Sequence, residues 1–423
     1  MGKRLLLYSL PILFPLPLVL VLNGQMNDAQ SVRLYVSAGV FAYGWWLLAV
    51  LLSVRPSWLD RAVGLPLIYG LHGLLAVFAI GAAYLHQQNT FSPGLWAQRL
   101  GNWGFYAALA LLCYSVLFMS GWLTDRSQLA HRIKNRLEVV FRHQLSVWIH
   151  RLNLVVIALI WLHVHLIDRV SQHFAFMALF DLYTVTVFGI YVWKKWVAPD
   201  AYLGGTVTVN TALNGSTRQL SIALDRPATT ARPGDFYFLR FDGPGISRER
   251  HPFSATDASR ETLTFTIRST GDFTRTAAEI PVGTRVSVEG PFGRFDPTIS
   301  DQPADTPLVL VGMGAGVAPL LSLTAGHLPH RRIHLLWSIR NTEDAYYRTL
   351  LEDHQRRADG RFTFTTQVGR FRAQQLPDIL TPEQVRDAAF FVVGPNPAVL
   401  STQRMLRRAG VAGARIHHER LTM

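Results

Sequence analysis

The sequence contains a single cysteine, few acidic residues and, beyond about residue 199, no apolar run long enough to cross a membrane. One cysteine, Cys113, excludes an intrachain disulfide framework and an iron–sulfur cluster held by cysteines. The 28 acidic residues stand against 41 lysines and arginines, which gives a formal charge of +13. Such an excess can indicate nucleic-acid binding, but basic residues beside membrane spans explain it more simply.

Long apolar runs are present in the first half of the chain only. Most of them reach the roughly 20 residues that a membrane-spanning helix requires. The first run follows Lys3 and Arg4 like a signal peptide, but no A-x-A-like cleavage site comes after it, so we interpret it as a retained first span. The six runs lie at about 5–22, 32–53, 65–86, 100–122, 142–166 and 172–197.

The loops between these runs alternate between basic and nearly uncharged. Because cytoplasmic loops carry the lysine and arginine excess, this alternation places both termini in the cytoplasm. We therefore predict an integral membrane protein, and its short loops favour a bacterial inner membrane. The basic residues are Lys3, Arg4, Arg55, Arg61, Arg126, Arg132, Lys134, Arg136, Arg142, Lys194 and Lys195.

Four histidines lie inside the third and fifth runs. His72 and His86 are 14 residues apart, and His150 and His163 are 13 apart. An imidazole in hydrocarbon needs a partner, and such residues are functional candidates. Two parallel helices with two histidines each predict two stacked haems, with His72 opposite His150 near the cytoplasm and His86 opposite His163 near the outside. The simpler alternative is that each ring makes a local hydrogen bond.

Helix geometry leaves the outer ligand of the fifth run open. Fourteen residues return to within about 40° of the same helix face, but thirteen leave two rings roughly 140° apart. A spacing of fifteen, which reaches His165, leaves about 60° and slightly favours His165 over His163. A π-bulge or a kink would restore His163. Arg33, at the outer start of the second run, either pairs with a haem propionate or extends to the interface.

The second half alternates short apolar and polar segments up to about Gly290, which predicts an antiparallel barrel. From about Pro307, apolar strands alternate with helical stretches, which predicts a parallel α/β sheet. The predicted fold class is therefore a six-helix transmembrane bundle over 1–198, an antiparallel β-barrel domain over 199–300 and an α/β parallel-sheet domain over 301–423.

The barrel carries two candidate flavin segments. In the first, Phe253 offers a ring to pack on a flavin, Ser254 offers a hydroxyl to its edge, and His251, before Pro252, can meet a phosphate. The second, TIRSTGDFTR, provides a positive donor, a glycine for close backbone approach and a threonine at a helix start. These three residues are Arg268, Gly271 and Thr274.

The α/β domain begins with a strand, a glycine turn and a helix. Gly312, Gly314 and Gly316 allow a tight turn and close approach of a phosphate to backbone N–H groups, and Pro319 is tolerated in the first helical turn. Two arginines at strand ends suit the 2′-phosphate of NADPH, although each is also compatible with a solvated loop charge. They are Arg340 and Arg370.

The histidine spacing, the HPFS segment and the glycine turn resemble those of the ferric reductase and NADPH oxidase superfamily. The resemblance implies that His72, His86, His150 and His163 ligate two b-type haems, with FAD at the barrel and NADPH at the sheet. It also implies that the turn at Gly394 and Pro395 and the C-terminal Glu419 lie near the cofactors. Val393 replaces the family's cysteine, and Leu421 and Met423 stand in for its terminal aromatics.

The resemblance implies a transmembrane oxidoreductase that passes electrons from NADPH through FAD and two haems to an acceptor. The first expectation is oxygen, which would give superoxide. A ferric-chelate reductase and a membrane subunit that supplies electrons to a partner protein are the alternatives.

Overall fold

Two compact units make up the chain in the computed structural model, Met1–Pro199 and Asp200–Met423. The structure describes residues 2–119, 143–197, 203–228, 230–243, 246–247 and 249–421. The basic loop between the fourth and fifth apolar runs, and Met423, lie outside the described residues.

The first unit consists of helices. Within the described residues, six spans are long and apolar enough to cross a membrane by length and composition: Leu7–Gln25, Gln30–Ser53, Leu65–Asn89, Leu95–Phe118, Leu145–His165 and Phe174–Val197. The helices are α1 (Gly2–Leu13), α2 (Leu16–Gln25), α3 (Gln30–Ser53), α4 (Ser57–Val63), α5 (Leu65–Asn89), α6 (Leu95–Phe118), α7 (His143–Arg151), α8 (Asn153–His165), α9 (Asp168–Ser171) and α10 (Phe174–Val192), which continues as a π turn over Trp193–Val197.

The fifth span is broken at Leu152, between α7 and α8. The Leu152 N–H donates to the Ile149 carbonyl at 3.0 Å, and the Val155 N–H donates to the Leu152 carbonyl at 2.9 Å. These three-residue hydrogen bonds are tighter than those of an α-helix and change the rotation of the chain locally. The rotation expected for an unbroken helix therefore does not apply to residues on opposite sides of Leu152.

Close helix approach in the first unit depends on small residues. A Cβ on Gly104 of α6 would lie 2.5 Å from the Cδ1 of Ile160 on α8. Elsewhere in the bundle, the Tyr43 ring of α3 stacks on Phe180 of α10 with centroids 4.5 Å apart. Small residues at helix contacts and large buried aromatics are typical of packing between apolar helices.

The second unit begins with a closed antiparallel barrel of six strands in the order β1-β2-β5-β4-β3-β6. Alternate side chains fill it, among them Leu220, Leu239 and Phe265, each 0% exposed. The HPFS segment forms part of a strand, which the sequence patterns did not predict. The strands are β1 (Leu203–Asn214), β2 (Thr217–Leu224), β3 (Phe236–Asp242), β4 (His251–Ala258), β5 (Thr262–Arg268) and β6 (Arg285–Phe292).

A five-stranded sheet follows, in the order β11-β10-β7-β8-β9, and every pairing in it is parallel. The strands are β7 (Leu308–Met313), β8 (Ile333–Ile339), β9 (Phe362–Val368), β10 (Ala389–Pro395) and β11 (Ile416–Leu421). The helices of this unit are α11 (Asp272–Thr276), α12 (Phe295–Ser300), α13 (Val317–His327), α14 (Arg348–Arg357), α15 (Leu376–Ile379), α16 (Pro382–Asp387) and α17 (Asn396–Arg408). The predicted barrel and parallel sheet are both present.

Candidate cofactor sites

The four histidines of the first unit meet as two pairs across α5 and the fifth span. The ring centroids of His72 and His150 are 5.9 Å apart, and those of His86 and His163 are 6.4 Å apart. Two imidazoles bound to one metal ion from opposite sides, each through a bond of about 2 Å, hold their centroids roughly 6 Å apart. Both distances therefore fit one metal ion between the two rings of each pair.

The hydrogen bonds of these rings leave the correct nitrogen available. A carbonyl can only accept, so the Nδ1 that faces it carries the proton, and the lone pair of the neutral ring is on Nε2. Ligand histidines commonly donate their second nitrogen in this way. His150 differs, since its Nδ1 lies 3.0 Å from the Ser115 hydroxyl. The carbonyl bonds join His72 to Ala49, His86 to Tyr35 and His163 to Ala97, at 2.9, 3.0 and 2.7 Å.

His165 is engaged elsewhere. Its Nδ1 lies 2.9 Å from the Trp161 carbonyl, and its Nε2 lies 3.3 Å from a carboxylate oxygen of Asp181. The break at Leu152 lets His163 face His86 despite the spacing of 13 residues. The structure thus brings His163, and not His165, against His86.

A cavity of about 300 Å³ adjoins the His86 and His163 rings. Two glycines allow the helix backbones to reach those rings: a Cβ on Gly39 would lie 2.8 Å from His86 Nδ1, and one on Gly101 would lie 2.9 Å from His163 Cε1. The Nε of Arg33 is buried and has no hydrogen-bond partner among the described residues. The His86–His163 pair therefore lies beside an apolar space of ligand size.

The HPFS segment is paired with a neighbouring strand on one side only. Strand β4 pairs with β3 from His251 to Ser254, but it pairs with β5 only from Ala255 onward. Ser254 is buried, whereas Phe253 is half-buried and Pro252 is exposed. One side of this segment is therefore free of strand pairing.

Two other sequence segments contact the HPFS segment. The His251 ring stacks on Phe273 of α11, with centroids 4.0 Å apart and planes 12° apart. The Ser254 hydroxyl donates to Glu419 of β11 at 3.4 Å. The structure thus brings together the HPFS segment, the TGDFT segment and the C-terminal strand.

Thr274 and Gly271 interact with each other. The Gly271 N–H donates to the Thr274 hydroxyl at 2.8 Å, and that hydroxyl also accepts the Thr270 N–H at 2.9 Å. Thr274 therefore caps the start of α11.

Arg268, at the end of β5, contacts the α/β part of the second unit. One guanidinium nitrogen pairs with Asp344 at 3.2 Å, and another lies 3.4 Å from the position that a Cβ on Gly314 would take. The Asp344 carboxylate also accepts the Asn214 amide at 2.9 Å. This ion pair joins the end of β5 to the loop after β8, and the Arg268 side chain also lies beside Gly314.

Two tyrosines follow Asp344 in the same loop. The Tyr347 hydroxyl is 2.6 Å from the Thr266 hydroxyl of the barrel, and burial raises the pKa of both Tyr346 and Tyr347. Both hydroxyls therefore stay protonated and can donate. The loop after β8 is fastened to the barrel by uncharged and charged contacts together.

Gly314 and Gly316, in the turn after β7, are required for two different structural reasons. Gly314 has a φ of +58°, and its carbonyl accepts the buried Trp337 indole N–H at 3.0 Å. A Cβ on Gly316 would overlap the carbonyl oxygen of Val393 on β10. Gly316 is thus needed for packing against the sheet, which differs from the predicted close approach of a phosphate.

Other candidate residues of the α/β part lie in its strands and in α13. A Cβ on Gly312 would lie 3.1 Å from Leu320 Cδ1, and one on Gly394 would lie 2.6 Å from Met313 Cε. Pro319 is the third residue of α13 and is buried, whereas Pro395 ends β10 and is exposed. Leu421 ends β11 in register with Pro395.

Replacing Gly316 by alanine tests the packing reason. Overpacking against a fixed backbone carbonyl costs about 1–3 kcal/mol, so we expect a melting temperature roughly 3–10 °C lower by differential scanning calorimetry of the full chain. Gly215→Ala is the matched control, because a Cβ there meets no atom within 4 Å. Equal melting temperatures for the two variants would contradict the packing reason.

Arg340 and Arg370 follow neighbouring strands of the sheet. Arg340 comes directly after β8, Arg370 comes two residues after β9, and both side chains are exposed. Carboxyl ends of parallel strands lie at one edge of a sheet, where nucleotide ligands bind. Over the part of the chain that the structure describes, neither guanidinium forms an ion pair. Both are therefore available for an anionic ligand.

Sequence reasoning missed several residues that shape these sites. Asp181 could have been found, since it is the one acidic residue between 172 and 197 and a carboxylate in an apolar run is a functional signal. Gly39, Gly101 and Asp344 carried no comparable signal, because their roles depend on segments that are distant in sequence.

Comparison with known proteins gives partial matches. No family model matches the chain. It is 25% identical over 198 residues to the ferredoxin reductase component of 3-ketosteroid-9-alpha-monooxygenase from Mycolicibacterium smegmatis, covering 44% of this chain and 54% of that protein. It is 26% identical over 212 residues to a flavohemoprotein of Xylella fastidiosa, covering 46% of this chain and 51% of that protein. The chain thus spans about half the length of these curated relatives.

A solved structure also matches in part. The cytochrome P450 reductase of Amycolatopsis is 24% identical, with a TM-score of 0.47, over 52% of this chain and 70% of that one. The barrel followed by a parallel sheet matches the FAD and nicotinamide domains of ferredoxin-reductase-type proteins.

Proposed function

We propose that this chain is a transmembrane oxidoreductase that passes electrons from cytosolic NADPH through FAD and two b-type haems to an acceptor across the membrane. The acceptor that we propose first is oxygen, which gives superoxide. The observation that carries the proposal is the pair of histidine pairs, 5.9 and 6.4 Å between centroids, in a unit of six apolar spans. The partial matches to reductase components and to a flavohemoprotein support the electron-transfer class.

The cofactors explain why the units follow in this order. NADPH gives a hydride, a haem takes one electron at a time, and a flavin can do both, so the flavin belongs between them. In this proposal Phe253 and Ser254 hold the flavin at the open edge of the barrel. Arg340 and Arg370 bind the 2′-phosphate of NADPH at the sheet edge.

The two histidine pairs determine how electrons would reach an acceptor. His72 with His150, and His86 with His163, would hold the two haem irons through their ring nitrogens. With two imidazoles holding each iron, the haems would supply electron transfer to an acceptor that does not itself bind the iron. Arg33, with its buried Nε, supplies a cation for a propionate on the outer side.

A methyl group behind His86 should disturb the outer haem. In Gly39→Ala the new Cβ would lie 2.8 Å from His86 Nδ1 and displace the ring from its bond to the Tyr35 carbonyl. We expect less haem per chain and a shifted absorbance band.

Gly81→Ala on α5 is the control, since a Cβ there meets nothing within 4 Å. Both changes gain the same helix propensity, about 1 kcal/mol. Identical haem content and spectra in the two variants would contradict the placement of Gly39 behind a ligand.

A reduced-minus-oxidised absorbance spectrum of the purified full chain tests the function, with haem and FAD quantified per chain. We expect two b-type haems and one FAD. A folded chain without porphyrin would refute the proposal. Dye reduction that superoxide dismutase inhibits would support oxygen as the acceptor. Reduction of a ferric chelate that the dismutase does not inhibit would instead indicate a ferric-chelate reductase. Activity only after addition of a partner protein would instead indicate an electron-supplying subunit.

A further inference from the structure

A polar cluster joins α8 to α10 inside the apolar spans. Asp181 on α10 accepts the Trp161 indole N–H at 2.7 Å, and its carboxylate lies 3.3 Å from His165 Nε2. The Trp161 and His165 rings are 4.2 Å apart, and His165 Nδ1 donates to the Trp161 carbonyl at 2.9 Å. A carboxylate among apolar helices is costly unless it is paired, so these contacts are needed to keep it there.

The contacts of this cluster fix which face of α8 is turned toward α10. Trp161 and His165 are four residues apart and share that face, as i and i+4 residues do. His163 is two residues from each, which places it roughly 160° around the helix. Anchoring Trp161 and His165 to Asp181 therefore points His163 away from α10, toward α5 and His86.

We infer that Asp181 is a positioning residue that sets the rotation of α8 and so presents His163, rather than His165, as a haem ligand. The inference rests on the proposed function, because it concerns the ligand of the outer haem. It also accounts for His165, whose spacing from His150 otherwise suits a ligand. With both ring nitrogens engaged by Trp161 and Asp181, His165 is held out of the cavity beside His86.

The angle between the ligand rings gives a readout for this rotation. The His86 and His163 planes are 85° apart, whereas the His72 and His150 planes are 53° apart. The low-spin ferric EPR signal of a haem with two imidazole ligands depends on that angle. The two haems are therefore expected to give separate signals, and a rotation of α8 should move the signal of the outer haem alone.

The test compares Asp181→Leu with Asp181→Asn in the full chain, by EPR and by redox titration of both haems. Leucine removes the acceptor, so we expect the outer signal to broaden or shift and its midpoint potential to move, with the inner signal unchanged. Asparagine keeps an oxygen for the Trp161 indole and should stay close to the unsubstituted chain. Thr184→Val is the control, because Thr184 lies on α10 like Asp181. It removes a hydroxyl that is 2.9 Å from the Tyr43 hydroxyl of α3, and it should leave both signals in place.

Trp161→Phe is the second variant should leucine at Asp181 prevent folding, since it removes the donor and keeps an aromatic ring. It should reproduce the shift that is confined to the outer signal. Wild-type spectra in both Asp181→Leu and Trp161→Phe, or equal shifts of both haems, would overturn the positioning role while the two-haem function stands. A wild-type chain without haem would overturn the proposed function itself, and the two failures are therefore distinguishable.

Discussion

Alanine at His163 removes one of the two proposed haems, whereas alanine at His165 leaves both in place. The reason is geometric: the His163 ring lies 6.4 Å from His86, and His165 contacts Asp181 instead. Without His163, His86 alone would remain to hold the proposed outer haem. We expect haem per chain to fall from about two to about one in His163→Ala, measured from the absorbance spectrum of purified protein.

The inner pair provides the matching comparison. His72→Ala and His150→Ala should each remove the other haem, while FAD per chain stays the same because the flavin segments lie in the second unit. A chain that keeps both haems without His163 but loses one without His165 would show that the ligand of the fifth span is His165.

Removing the Arg340 and Arg370 side chains together should lower kcat/KM for NADPH far more than kcat/KM for NADH. The two cofactors differ by the 2′-phosphate, and charge-assisted hydrogen bonds to it contribute about 1.5–3 kcal/mol. We therefore expect kcat/KM for NADPH to fall roughly 10- to 100-fold in Arg340→Ala with Arg370→Ala, and kcat/KM for NADH to change little. Steady-state rates with each cofactor give the comparison.

The same two strands supply a control of equal charge. Arg332 directly precedes β8 and Arg361 directly precedes β9, so both exposed side chains lie at the opposite edge of the sheet. Arg332→Ala with Arg361→Ala removes two positive charges without touching the proposed phosphate site. Equal losses for NADPH and NADH in the first variant, or equal effects of the two variants, would remove the phosphate role.

The barrel and the sheet could be predicted because their strands alternate or run apolar over several residues. Strand β4 was missed, since its HPFS segment contains a proline and pairs on one side only. Strand β11, IHHERL, is a short, charged edge strand and carries no apolar pattern. Both missed strands lie at the candidate flavin site, where polarity and an open edge serve a ligand better than regular pairing.

The facing of histidines on the third and fifth spans could be predicted, but helix geometry could not decide between His163 and His165. The choice depends on the break at Leu152, where neither glycine nor proline marks the sequence. The Asn153 side chain, which donates to the His150 carbonyl at 2.7 Å, helps to hold that break. The contact of Arg268 with the glycine turn was equally hidden, since it joins residues 46 positions apart.

The hydrogen bonds behind the four imidazoles have a consequence for the relative reduction potentials of the two proposed haems. A peptide carbonyl that accepts the Nδ1 proton makes the imidazole more basic and a stronger donor of charge to iron, which favours the ferric state. His86 and His163 both have such a partner, whereas His150 faces the Ser115 hydroxyl and leaves the inner pair with one. In the proposed two-haem arrangement, the iron held by His86 and His163 would therefore be the more strongly reducing of the two.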